Sequence, residues 1–117
     1  MGKLSTHVLD TSSGLPAAGM AYLLERVAPG PRTELNRGTT DQDGRSSGPL
    51  LGQAQLQIGT YELHFEVAAY FRARGVTLAD PPFLEVVTLR FGVADANAQM
   101  HVPLLVSPWS YSTYRGS

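Results

Sequence analysis

Residues Ile58–Val67, "IGTYELHFEV", decide the fold class. Tyr61, Leu63, Phe65 and Val67 fall on one side of an extended chain, and Thr60, Glu62, His64 and Glu66 on the other. Side chains alternate across a strand with a period of two, so this segment reads as a strand with one face on a core and one in water. Similar short runs recur on either side of it, separated by turn formers. "KLSTHVLD" (3–10) is closed by "TSSGLPAAG", "MAYLLERVA" (20–28) by "PGP", and "TELNRGTT" (33–40) by "DQDGRSSGP". "FLEVVTLRFGV" (83–93) is the longest candidate and is rich in β-branched and aromatic residues. "MHVPLLVSP" (100–108) and "WSYSTYRG" (109–116) complete the series. Only "AAYFRARG" (68–75) breaks the alternation: Ala68, Ala69, Arg72 and Ala73 favour a helix, and Gly75 is a natural C-cap, which gives about two turns. The expectation is an all-β sandwich, two sheets of about four strands each with one short helix, in a single domain over residues 1–117.

The composition narrows the class of function. Of 117 residues, 43% are hydrophobic and 16% charged, the balance of a chain that buries a core. A formal net charge of -1 gives no basic footprint for nucleic acid or for an anionic membrane. With no cysteine, disulfide staples, thiolate metal sites and a cysteine nucleophile are all excluded. No long apolar stretch suggests a leader or a membrane span, so a cytoplasmic protein is expected. "MGKLST" matches the loose myristoylation pattern through Gly2 and Thr6, but it reads as the start of a strand.

Three histidines separate by strand period. His64 shares its face with Glu62 and Glu66 and reads as a solvated histidine beside two carboxylates. His7 shares a face with Ser5 and Leu9, in a strand with little charge. His101 opens a run that is otherwise apolar. Either of the last two alone is ordinarily a satisfied structural histidine; both facing one site would mean more. Arg45 ends "TTDQDGR" and reads by itself as a loop arginine. Asp41, Asp43 and Gly44 fall short of a calcium loop, because the run of ligands and the closing glutamate are missing. Two separated histidines without cysteine or a local acid make a poor zinc set, so no metal and no cofactor is expected. Residue patterns alone stop at a small sandwich with two oddly placed histidines and a tail, "YSTYRGS", of hydrogen-bonding residues.

Three stretches add a resemblance. "LSTHVLDTSSGLPAAGM" (4–20), "TTDQDGR" (39–45) and "HVPLLVSPWSYSTYRGS" (101–117) resemble the 5-hydroxyisourate hydrolases, transthyretin-related enzymes of purine degradation. The resemblance implies a prealbumin-like sandwich of eight strands, assembled as a homotetramer, a dimer of dimers, with active sites at the dimer–dimer interface. It implies that His7, Arg45 and His101 are catalytic. It further implies that His7, Arg45, Tyr114, Arg115 and Ser117 contact the substrate. The tail motif Tyr-Arg-Gly-Ser, here Tyr114–Ser117, marks the enzymes within that family and is absent from transthyretin. Family members often carry a second histidine where Gln99 stands, two residues before His101 and on the same strand face.

The implied reaction is hydrolysis of 5-hydroxyisourate to 2-oxo-4-hydroxy-4-carboxy-5-ureidoimidazoline. It requires a base for water, a donor for the developing oxyanion and a holder for a planar ring. An imidazole beside a guanidinium meets the first need, because the cation disfavours imidazolium. Two other readings stand beside it: a transthyretin-like carrier of a small aromatic ligand, and a sandwich serving adhesion or assembly.

Overall fold

The computed structural model describes residues 2–117, so Met1, the first residue of the expected domain and of the myristoylation pattern, lies outside the described residues. Ten strand segments and one helix follow in order: β1 (Lys3–Ser5), β2 (Val8–Asp10), β3 (Leu15–Pro16), β4 (Ala21–Ala28), β5 (Thr33–Thr39), β6 (Gly59–Glu66), α1 (Val67–Ala73), β7 (Val86–Val93), β8 (Gln99–His101), β9 (Leu104–Val106) and β10 (Tyr111–Thr113). They pack as the expected all-β sandwich. One sheet is antiparallel throughout, in the order β5-β4-β6-β7. The other runs β10-β9-β2-β3, and its two central strands continue into the parallel pair β1-β8.

The deciding segment behaves as its pattern requires. Tyr61, Leu63 and Phe65 are fully buried, while Glu62 and His64 on the other face are half-buried. On β6, Leu63 lies between Leu24 and Leu89, and Phe65 between Tyr22 and Val87, so the apolar face extends over three strands. Tyr61 stacks on Phe91 with ring centroids 5.8 Å apart. From the facing sheet, Leu4, Val8, Met100, Val102, Leu104 and Val106 close the same hydrophobic cluster.

Three details differ from the sequence reading. The strand read at 3–10 is two segments, and so is the one read at 100–108. Pro103, which has no N–H to give, lies in the gap between β8 and β9. Hydrogen bonds nevertheless continue across the gap, from the Val102 amide to the Ser5 carbonyl and from the Leu104 amide to the His7 carbonyl, both at 2.9 Å. Leu15–Pro16, read as part of a turn, pairs with β2 as an edge strand, a position that tolerates proline. The helix starts at Val67, which gives its fully buried side chain to the core from the first helical turn. Gly75 follows the helix at φ +86°, as the C-terminal glycine was expected to.

The loop carrying Arg45 is fastened to β2. The Val8 amide donates to the Gly44 carbonyl at 2.8 Å, and Asp41 spends its Oδ1 on the amides of Asp43 and Arg45. Gly44 has φ +77°, and a Cβ there would run into the Val8 carbonyl oxygen. Gly44→Ala is therefore expected to cost roughly 2–4 kcal/mol, the left-handed strain plus the clash. Denaturant titration checks this, and a midpoint equal to that of the parent would show that the loop is not held in this way.

Candidate active site

Along β1 and into β2 the residues alternate without a fault: Leu4, Thr6 and Val8 are buried, and Lys3, Ser5 and His7 face outward. β8 runs parallel beside it, with Lys3 opposite Gln99 and Ser5 opposite His101. Partners in register share a face of the sheet, so Lys3, Ser5, Gln99 and His101 form one outward patch. His7 continues the row between β1 and β2, where its backbone bridges that of Arg45. The first strand, a mid-chain loop and the eighth strand thus converge at one place.

His101 is held on both flanks. The Ser5 hydroxyl lies 2.9 Å from its Nδ1. On the other side its amide donates to the Gly116 carbonyl at 3.1 Å, and the Gly116 amide donates back to the His101 carbonyl at 2.7 Å. A Cβ on Gly116 would sit 3.2 Å from the His101 Cβ, so a side chain at that point of the tail would crowd His101. A hollow of about 70 Å³ is lined by Lys3, Ser5, Gln99, Met100, His101 and Ser117. Lys3 and Ser5 also line a second hollow of about 380 Å³, together with Thr6, Asp41, Arg45 and Ser46. The two hollows therefore adjoin across the Lys3 and Ser5 side chains.

The electrostatics favour an uncharged imidazole at His101. Partial burial comes first, then the neighbouring charges of Arg45, His7 and Lys3, and all push its pKa below the ordinary 6.5. The result is a neutral nitrogen base beside Arg45 and Lys3, in a site open to water.

The structure thus gathers His7, Arg45, His101 and Ser117 around one patch. Tyr114 and Arg115 go elsewhere within a single chain. They line a hollow of about 450 Å³ between β7 and β10, shared with Leu89, Arg90, Phe91, Met100 and Tyr111. Lys3 and Ser5 are the residues that sequence reasoning did not single out. Their signal was the alternation itself, since positions 3, 5 and 7 share a face once His7 is placed on it.

His64 stands on the opposite sheet. Its Nε2 is 2.9 Å from Glu25 and 3.5 Å from Glu62, and its Nδ1 is 2.8 Å from Thr88. Glu25, Glu62 and His64 are close enough together to hold a metal ion. Arg32 and Arg90 already occupy those carboxylates, however, at 2.6 to 2.9 Å, so the chemistry of the group is that of an ion-pair network.

The HIUase/Transthyretin family profile matches residues 4–116. A 5-hydroxyisourate hydrolase of Ralstonia nicotianae is 58% identical over 117 residues, the whole of both chains. Among solved structures, an (S)-allantoin synthase superposes with a TM-score of 0.94 at 44% identity, over 99% of this chain. This chain spans only 44% of that protein. Sea bream transthyretin in complex with thyroxine superposes with a TM-score of 0.85 at 29% identity, over 97% of this chain and 94% of that one.

Nitrogen-resolved NMR of the imidazoles should show His101 titrating below 6.5. Arg45→Gln should raise its midpoint, because one of the charges opposing protonation is gone. A midpoint that stays put in Arg45→Gln would mean the guanidinium does not act on His101.

Proposed function

Because this chain belongs to the HIUase/Transthyretin family, we propose that it is a 5-hydroxyisourate hydrolase acting as one domain over residues 1–117. The observation that carries this reading is the identity with the Ralstonia enzyme over the full length of both chains. The chemistry of the His101 patch agrees with it.

Water adds to a ring carbonyl of the substrate and gives its proton to a neutral imidazole. Negative charge develops on the carbonyl oxygen, where a guanidinium is the natural partner. The tetrahedral intermediate then collapses. The C–N bond of the six-membered ring breaks, the imidazolium returns the proton to the departing nitrogen, and the new carboxyl group of 2-oxo-4-hydroxy-4-carboxy-5-ureidoimidazoline releases its remaining proton to solvent. We assign water activation jointly to His7 and His101. Arg45 grips the substrate oxygens and takes up the developing charge. Ser117, on the wall of the His101 hollow, orients substrate or water. Tyr114 and Arg115 line a different hollow of the single chain, so their substrate contacts belong to an assembly of copies.

That assembly is a homotetramer, a dimer of dimers with the active sites between dimers. Its support is the outward face of the β10-β9-β2-β3 sheet, where Leu9 and Leu105 lie half-buried, opposite each other in the β2–β9 register, with Leu105 four residues along the chain from His101. Among the described residues, no helix is long and apolar enough to cross a membrane. Action in the cytoplasm is part of the same proposal.

The second reading, a carrier of a small aromatic ligand, has its support in the likeness to thyroxine-bound transthyretin. A carrier has no use for an imidazole kept neutral beside a guanidinium. Urate and urate oxidase generate hydroxyisourate, whose ultraviolet absorbance decays spontaneously. This protein should speed the decay, and His101→Asn should reduce its turnover by about 10²–10⁴-fold, the usual worth of a general base. Decay at the spontaneous rate with the parent protein would return the carrier reading. Activity should also fall as dilution takes the protein below tetramer in sedimentation, whereas full activity in a monomer would remove the interface sites.

A further inference from the structure

We infer that Ser5 is a positioning residue that selects the working tautomer of His101. The inference rests on the hydrolase reading and goes beyond it, because Ser5 acts through His101 and has no direct part in the chemistry.

A neutral imidazole carries one proton and one lone pair. The Ser5 Oγ and the His101 Nδ1 are 2.9 Å apart, so one of them donates to the other. If the hydroxyl donates, the imidazole proton sits on Nε2 and His101 has no lone pair left for water. If Nδ1–H donates, the Nε2 lone pair is free to take a proton. Only the second arrangement is a base. The hydrogen bond made by one ring nitrogen decides the state of the other, so Ser5 selects the Nδ1–H form when its own hydroxyl proton is engaged elsewhere and its oxygen accepts.

Three features of the fold suit Ser5 to this task. Ser5 is the register partner of His101 in the parallel β1–β8 pair, so both side chains rise from the same level of the same face. The backbone on both sides is fixed: the Ser5 carbonyl accepts from the Val102 amide, and His101 is bridged to Gly116. Finally, Ser5 lines both adjoining hollows, so its own hydroxyl proton has water to point to while its oxygen accepts from Nδ1. A residue on a loop could not hold this angle as firmly as one in a strand.

The test uses the full chain. Nitrogen-resolved NMR of the parent at a pH above the His101 midpoint should show the Nδ1–H form. Ser5→Ala should shift His101 toward Nε2–H and lower kcat/KM by about 10- to 100-fold, a usual loss when the group that orients a histidine is removed. Ser5→Thr keeps the hydroxyl and should restore both the tautomer and most of the rate. Adding Ser5→Ala to His101→Asn should change nothing further, because the two residues act as a unit. A Ser5→Ala protein that keeps the Nδ1–H form, or keeps the parental kcat/KM, overturns the assignment. So does a Ser5→Thr protein with the tautomer and rate of Ser5→Ala. If His101→Asn itself turns over like the parent, the hydrolase mechanism is what fails.

Discussion

Much of this molecule depends on the parallel pairing of β1 with β8. Ser5 and His101 are 96 positions apart and stand side bonded to side. Closing so long a loop costs chain entropy, which the intervening sandwich must offset with buried apolar surface. Leu4 and Met100 show how this is done on the same two strands. They point inward to the core while their neighbours point outward to the candidate site. The period of two that builds the core therefore builds the site as well, and neither can be moved by one residue without inverting the other.

The loop that brings Arg45 follows a related logic. A guanidinium on a long stem has many conformations, and its usefulness depends on a firm base. Asp41 caps two amides of its own loop, Gly44 presses against the Val8 backbone, and Arg45 bridges His7. The two aspartates that faintly suggested a cation site are accounted for in this way on the Asp41 side. Its Oδ1 organises the turn that presents Arg45 beside His7.

The sequence made the sandwich legible wherever one side chain in two was apolar, as in Tyr61, Leu63 and Phe65, and wherever glycine followed a helical stretch, as at Gly75. It was less clear where backbone chemistry overrides pattern. Pro103 breaks a run that reads as one strand, and Pro16 occupies an edge that reads as a turn. At the site, His7, Arg45 and His101 stood out through a resemblance, since nothing in their spacing says that residues 7, 45 and 101 meet. Ser5 and Lys3 were missed because serine and lysine on an outward strand face are ordinary. Only the register with β8 sets Ser5 against His101. The separate hollow lined by Tyr114 and Arg115 was equally out of reach, because it depends on how β10 lies against β7 across the open edge of the sandwich.

The paired hydrogen bonds between His101 and Gly116 have a practical consequence for anyone handling the protein. A tag, fluorophore or fusion partner joined to Ser117 would emerge at the rim of the His101 hollow. The exposed hairpin at Pro29–Arg32, on the opposite sheet, is the better attachment point for immobilisation or labelling.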